Sequence, residues 1–529
     1  MILRVSANFS RPRASRLPDA QDSTQITRST LTSVVSYAPR TGDPVSTAAT
    51  TTATQLSEIT NRAAHAAPVL RDASPKERRQ WLRALADALE ESRSELIRLA
   101  DTETALGEGR LNGEFDKLIG QTRFYGDVAV EGSYLGVSID EGVDGGQDLV
   151  RVNRPLGPVA VFGASNFPFV LGVLGHDTSA AIAAGCPVVV KAHTAHIGLS
   201  IRLAEIACTA FAAAGAPTGI FDIVVGRDAG SALVVAPETK AVAFTGSQSG
   251  GMSLWRAANE RDIPIPVYAE MGTVNAVVVT RTADKMFDDV AKGFVDTFTQ
   301  NGGQYCTKPG LIFVPTGFNG AERVAKTLRA TNPSSTMLTK AIADSARAGL
   351  DDLRAAGARV IAEIVEGEVG FSAPAAVLAV ELGDLEPGSR FLGECFGPIA
   401  LVCEYESVDQ LSETLAKLQG SLVSAVFTQP DDSDVPDILN VLESKVGRVI
   451  VNGWTTGAPH GWAQQHGGPW PSTSNPAVTS IGGAALERFT RPITFQGVQD
   501  SWLPREARRD NPDEITRRIN GVIAPAGHR

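Results

Sequence analysis

Val159-Ala160-Val161-Phe162 and Val188-Val189-Val190 are two short apolar runs, and an alanine-rich helical pattern ending at Gly185 lies between them. Continuous apolar runs of this length, bounded by Gly and Pro, fit strands buried on both faces; two joined by a helix make a parallel βαβ unit. The rhythm extends outward with a helix from about Ile197 to Ala214, a strand at Ile223-Val224-Val225, another helix, and a strand at Ala241-Val242-Ala243-Phe244. After a break near residue 275 it resumes at Ala276-Val277-Val278-Val279 and continues to about residue 455. The pattern predicts an α/β chain of two doubly wound parallel-sheet domains. Upstream, Ser74-Pro75-Lys76-Glu77 forms a capping box with Pro at the first helical position. Leu82, Leu85, Leu89, Leu96 and Leu99 then predict one amphipathic helix to about Asp101, and a second helical stretch follows from about Gly113 to Val130.

The 529 residues are 43% hydrophobic and 20% charged, the range of a globular chain with two to four domains. The net charge of −11, with no basic stripe beyond the amino terminus, argues against a nucleic-acid partner. No apolar run approaches the roughly 20 residues of a membrane helix, so no membrane association is expected. Residues 1–30, rich in Arg, Ser and Thr, read as a disordered extension, with an organelle transit peptide as the alternative. Five cysteines at 186, 208, 306, 395 and 403 are too few and too irregular for a disulfide framework, which favours a reducing, cytoplasmic setting. His193 and His196 are three apart but lack a third ligand at metal spacing, so no metal site is expected.

Cys306 sits in Asn301-Gly302-Gly303-Gln304-Tyr305-Cys306-Thr307-Lys308-Pro309-Gly310, a glycine-flanked loop entering the strand Leu311-Ile312-Phe313-Val314. Spacing alone leaves this thiol open between a nucleophile and a core filler. The wider context bears on it. Phe244-Thr245-Gly246-Ser247, Glu270-Met271-Gly272 followed by Asn275, and the Cys306 loop resemble, in order and spacing, the aldehyde dehydrogenase superfamily. Pro155-x-Gly157-Pro158, Ser165-Asn166-Phe167-Pro168 and Val190-Lys191 match its amino-terminal half, and Glu394-x-Phe396-Gly397-Pro398 its carboxy-terminal half. The resemblance runs from about residue 35 to 495.

It implies that Cys306 attacks an aldehyde, that the Asn166 amide and the Cys306 N–H hold the resulting oxyanion, and that Glu270 activates the water that releases the acid. A base of this kind is expected to titrate near working pH. No Gly-x-Gly-x-x-Gly is present; the family instead holds pyrophosphate on the turn of Gly246 and Ser247 and the helix that follows. By the same resemblance Lys191 reaches the adenosine ribose, Glu394 the nicotinamide ribose, and Phe396 packs nearby. Where many NAD-dependent members carry Lys-Pro-Ser-Glu, this chain reads Lys191-Ala192-His193-Thr194. Thr194 removes a carboxylate that would repel a 2′-phosphate, and Arg227 offers a cation for one, so NADP is the expected cofactor, with NAD also accepted. The alternative for Arg227 is a solvated surface base.

His466-Gly467-Gly468-Pro469-Trp470-Pro471-Ser472-Thr473 and Arg110-Leu111-x-Gly113-Glu114 resemble the branch of α-ketoglutaric semialdehyde (2,5-dioxopentanoate) dehydrogenases and some NADP-dependent fatty aldehyde dehydrogenases. Candidate substrate residues are Phe167, Gln121 and Arg123, though an i, i+2 pair does not share a helix face. Rival readings are a broad or fatty aldehyde dehydrogenase, a coenzyme-A-acylating enzyme, which would not need Glu270, and a non-catalytic NADP binder. The other four cysteines are expected to be buried. By resemblance, residues 31–132 and 158–272 form the cofactor-binding domain and 273–483 the catalytic domain. Residues 133–157 and 484–504 supply bridging strands for a homodimer or homotetramer, and 505–529 form a tail of no assigned place.

Overall fold

The computed structural model describes residues 32–365 and 369–526, so the expected amino-terminal extension, 1–30, lies outside the described residues. Five strands form one sheet in the order Phe221–Val224, Val188–Lys191, Val159–Phe162, Ala241–Gly246 and Val267–Met271, every pair parallel. Val159–Phe162 is buried along its length, as a continuous apolar run demands. Helix His176–Ala184, rich in Ala, is buried all round and lies close against this sheet.

Helix Ile197–Ala213 covers the same layer. With the preceding turn, the stretch Thr194–Ala213 is the one candidate among the described residues long and apolar enough to cross a membrane, against the expectation that none exists. Its Leu199, Leu203, Ala207 and Phe211 are instead buried in the protein core.

Only Gly272, Thr273 and Val274 separate the last strand of this sheet from Asn275–Val279, at the break expected near residue 275. The second sheet has seven strands in the order Arg359–Ile364, Ala375–Val380, Ile399–Tyr405, Pro309–Pro315, Asn275–Val279, Ser421–Phe427 and Val446–Val451. It is parallel, as a doubly wound domain requires, except at one edge, where Arg359–Ile364 runs antiparallel to Ala375–Val380. A third sheet joins Thr490–Gln496, Leu149–Pro155, Ser138–Asp140, Arg517–Ile519 and Val522–Ala524. The carboxy-terminal tail therefore has a place after all: Arg517–Ile519 pairs in parallel with Ser138–Asp140.

Two helix boundaries differ from expectation. The leucine pattern beyond Ser74 is split into Pro75–Glu91 and Arg93–Thr104 at Ser92, whose φ of −99° and ψ of 5° leave the helical region. The next helix, Glu108–Glu131, starts earlier than its apolar pattern indicates, because Gly109, Asn112 and Gly113 in its first turns carry no apolar signal.

Glu103 ties three of these elements together. Its buried carboxylate accepts from the N–H groups of Gly198 (3.0 Å) and Leu199 (2.8 Å), two first-turn donors of helix Ile197–Ala213, and from the hydroxyl of Ser36 in the hairpin Ser33–Tyr37/Pro44–Ala49. Glu103→Ala orphans those donors and is expected to cost about 3 kcal/mol, read as a lowered unfolding midpoint. Glu103→Gln should cost less, and an unchanged midpoint in both would show that the clamp contributes nothing.

Candidate active site

Cys306 lies in the loop between helix Phe287–Thr299 and strand Pro309–Pro315. Asn301, Gly302 and Gly303 all adopt left-handed backbone (φ 50°, 67° and 68°), and a β-carbon on Gly303 would sit 2.3 Å from the carbonyl of Gly397. Only glycine fits there. Side chains pin the rest of the loop. Gln304 donates to Asn301 O (2.8 Å) and accepts from Leu338 N (2.9 Å); Asn275 Nδ2 donates to the carbonyls of Cys306 (2.9 Å) and Lys308 (3.0 Å); Thr455 Oγ1 donates to Thr307 O (2.7 Å). The half-buried thiol of Cys306 faces a cavity of about 690 Å³.

Glu270 borders the same cavity from the strand Val267–Met271. His466 Nε2 donates to its Oε1 (3.1 Å) and Ser480 Oγ to its Oε2 (2.7 Å), all three side chains being buried. Burial alone would raise this carboxyl; His466 and Ser480 outweigh it and hold Glu270 at about 2. That differs from the expectation of a base titrating near working pH, because the two donors reach it from 196 and 210 positions along the chain. The thiol goes the other way: burial, then the negative Glu270 beside it, push Cys306 well above the ordinary thiol range. The site is therefore a neutral thiol next to an ionised carboxylate. Sγ of Cys306, a carboxylate oxygen of Glu270 and a ring nitrogen of His466 lie within 4.8 Å of one another, the one set of three among the described residues spaced to hold a metal ion.

Asn166, 5% exposed, spends one amide hydrogen on Gln304 O (2.9 Å), leaving the other for an oxygen in the cavity it lines. The segment carrying it is braced from helix Glu108–Glu131. Arg110 Nη2 donates to Asn166 O (2.9 Å), and Glu114 Oε1 accepts from Phe169 N (2.8 Å) and Val170 N (3.1 Å). The Arg110 guanidinium lies 4.6 Å from the ring centre of Phe167 and 5.2 Å from that of Tyr305, the residue before the thiol. Of the candidate substrate residues, Phe167 is thus at the site. Gln121 is buried with neither amide atom partnered. Arg123 is not at the site: it points outward from the opposite side of the helix and pairs with Asp87 (2.8 Å).

The far end of the cavity suits a dinucleotide. Lys191, Thr194, Arg227, Gly246, Ser247, Glu394 and Phe396 all line it, and its volume falls within the about 300–1,000 Å³ usual for ligand sites. Ser247 caps helix Gln248–Asn259, its Oγ accepting from Gly250 N (3.2 Å), so the helix N-terminus opens toward the cavity. Burial and the neighbouring Arg227 lower Lys191, placing two cations side by side. Glu394 packs directly on Gly272, where a β-carbon would come 1.9 Å from its Oε2. Burial raises this carboxyl to about 7 despite the opposing charge of Lys308. The structure thus offers a phosphate-binding turn, a cationic end and a carboxylate end in one cleft, which fits NAD(P).

All five cysteines are free thiols; Cys186, Cys395 and Cys403 are buried as expected, but Cys208 is exposed, on the outer face of helix Ile197–Ala213. His193 caps its own turn through Ala195 N, and His196 meets Ser200 Oγ at 3.2 Å. Sequence reasoning missed His466, Ser480, Arg110 and Lys308 as site residues. His466, Arg110 and Lys308 stood in quoted motifs, whereas Ser480 gave no signal short of three dimensions.

The aldehyde dehydrogenase family model matches residues 26–494. The chain is 41% identical over 456 residues to "Alpha-ketoglutaric semialdehyde dehydrogenase 2" of Azospirillum brasilense (84% of this chain, 87% of that protein). It is 36% identical over 462 residues to "Alpha-ketoglutaric semialdehyde dehydrogenase" of Acinetobacter baylyi (85% and 87%). Among solved structures, an NAD-dependent aldehyde dehydrogenase from Sinorhizobium meliloti superposes with a TM-score of 0.76 at 21% identity, covering 88% of this chain and 91% of that one, a likeness of fold. With the family match spanning most of its length and the expected motifs meeting in one cleft, the chain belongs to the aldehyde dehydrogenase family of NAD(P)-dependent oxidoreductases.

Proposed function

We propose that this enzyme oxidises 2,5-dioxopentanoate (α-ketoglutaric semialdehyde) to 2-oxoglutarate, with NADP preferred over NAD. The observation that carries the oxidation is the meeting of the Cys306 thiol, the Glu270 carboxylate and the Asn166 amide at one end of the dinucleotide cleft. NAD(P), when bound there, supplies the hydride acceptor. Cys306 attacks the aldehyde carbon as its proton passes to the adjacent Glu270, so the buried site never carries two negative charges. The free hydrogen of the Asn166 amide and the Cys306 N–H stabilise the oxyanion of the thiohemiacetal. Loss of hydride from that adduct leaves a thioester on Cys306. Once Glu270 has given that proton up to solvent, it takes a proton from the water that hydrolyses the thioester and returns it to the departing Cys306 sulfur, which argues for release as the free acid rather than transfer to coenzyme A.

The substrate assignment rests on the 41% and 36% identity to two enzymes bearing that name. Arg110 supports it: beside its 3.5 Å pairing with Glu114, Nε and Nη1 of this guanidinium bond no group among the described residues, and it stacks on the residue next to the thiol, suiting it to a remote carboxylate. The NADP preference rests on Thr194 in place of a carboxylate and on Arg227, exposed in the cleft beside Lys191. Five free thiols support a reducing, cytoplasmic setting. A dimer or tetramer is proposed on Thr490–Gln496, an edge strand with a partner on one side only.

Initial rates with 2,5-dioxopentanoate and a long-chain aldehyde test the substrate reading; kcat/KM should favour the former at least tenfold, and equal values would refute a carboxylate site. In Glu270→Gln, both the single-turnover burst of reduced cofactor and steady-state turnover should fall, the latter by about 10²-fold or more. An undiminished burst would remove Glu270 from the attack step, and an undiminished steady-state rate would remove it from hydrolysis. Arg227→Ala should raise the KM for NADP by roughly 10- to 100-fold and leave that for NAD nearly unchanged; parallel changes for both cofactors would return Arg227 to the surface.

A further inference from the structure

Lys308, two residues beyond the nucleophile, is buried, and its ammonium donates to three backbone carbonyls: Cys395 (2.7 Å), Gly397 (3.0 Å) and Ile399 (2.8 Å). An ammonium has three protons, and here all three are spent on alternate residues of the segment that carries Glu394 and Phe396. Burying a cation without a carboxylate hydrogen-bonded to it is costly, and a Met or Leu would fill the same volume without that cost. A side chain retained on such terms is doing what an apolar one cannot, which is to fix the direction of three carbonyls at once. The backbone of Lys308 is itself fixed, its carbonyl accepting from Asn275 Nδ2 (3.0 Å). A rigid path therefore runs from the start of the second sheet, through the nucleophile loop, into the loop that closes the carboxylate end of the dinucleotide cleft. Gly303 meets Gly397 on the same seam, where no β-carbon fits.

We propose that Lys308 is a positioning residue that holds Glu394 and Phe396 in register with the Cys306 thiol, so that cofactor and nucleophile are aligned by one buried cross-link. This rests on the reading of Glu394 and Phe396 as cofactor-holding residues. It separates two properties of the enzyme. Hydrolysis of an activated ester such as p-nitrophenyl acetate needs Cys306, its oxyanion donors and water, but no cofactor. Aldehyde oxidation needs both loops in register.

Lys308→Met should raise the dissociation constant for NADPH, read by its fluorescence, at least tenfold and lower the rate of NADP-dependent oxidation in proportion. Ester hydrolysis without cofactor should stay within about threefold of the parent rate. Glu394→Gln should weaken NADPH binding as well, and the double variant should bind no more weakly than the weaker single one. If Lys308→Met does not fold, Lys308→Gln, whose amide keeps two donors, carries the same comparison. Equal losses of oxidation and ester hydrolysis, or unchanged NADPH binding, overturn the proposal, as does a double variant whose loss is the product of the two single losses. If Glu394→Gln binds NADPH normally while Lys308→Met does not, the cross-link stands, acting through Phe396, and the role read for Glu394 fails.

Discussion

The buried carboxylate of Glu270 constrains everything around it. A carboxylate only 4% exposed is costly unless hydrogen bonds replace water, and here His466 and Ser480 supply them from a segment some 200 residues further along the chain. That segment, residues 466–480, must therefore fold back over the end of the strand Val267–Met271, and it does so with further backbone bonds: Met271 N to Ser472 O (2.8 Å) and Ser474 N to Ala269 O (3.0 Å). Glu270 thus acts as a structural anchor for the carboxy-terminal segment, and Arg488 extends the anchorage by donating to Ser480 O (3.1 Å).

The two parallel sheets explain why such distant residues meet. In an open parallel sheet the loops after the carboxyl ends of the strands share one edge, and ligands bind there. Lys191, Gly246 and Glu270 all lie at or near such ends in the first sheet. The second sheet turns its opposite edge to the cleft, because Cys306 and Glu394 both precede their strands, Pro309–Pro315 and Ile399–Tyr405. The cleft is therefore built between carboxyl ends of one sheet and amino ends of the other. Asn275, at the first residue of the second sheet, bonds both the nucleophile loop and Val423 N (3.3 Å), fixing that edge.

Legibility from sequence followed the range of the interactions. Strands such as Val159–Phe162, Val188–Lys191, Asn275–Val279 and Pro309–Pro315 were readable because burial on both faces leaves a continuous apolar run, a local signal. The motifs around Asn166, Glu270, Cys306 and Glu394 were readable because each is a tight loop whose glycines and polar residues are adjacent in the chain. Arg123 was misplaced because helical phase, not proximity in sequence, decides direction: two residues apart on a helix is about half a turn, which sends Arg123 to Asp87 while Gln121 is buried. The roles of Ser480 and Lys308 were invisible because they depend on partners 210 and about 90 positions away. The edge strand Arg359–Ile364 reverses direction for a comparable reason, since strand orientation is set by the connection to Ala375–Val380 and not by the apolar pattern that both share.

What singles out Cys306 among five thiols is not acidity. Burial raises Cys186 to about 11 and Cys403 to about 12, and it raises Cys395, yet Cys306 too is pushed up, by burial and by its anionic neighbour. A thiol made reactive by a lowered pKa would need a cation or a helix N-terminus to prevail at the sulfur, and after burial the groups that push this one up are carboxylates, Glu270 and Glu394. In the proposed mechanism its reactivity comes from adjacency: a carboxylate within reach, a cavity that admits a carbonyl, and an amide that lines it. In such a site the proton moves as the carbon–sulfur bond forms, and charge that would be intolerable on sulfur is handed to an oxyanion with donors waiting for it. The hydrogen bonds that hold Glu270 ionised at about 2 also weaken it as a proton acceptor. The strength of the two bonds from His466 and Ser480 sets how readily Glu270 accepts that proton, so the segment that anchors the fold also tunes the chemistry.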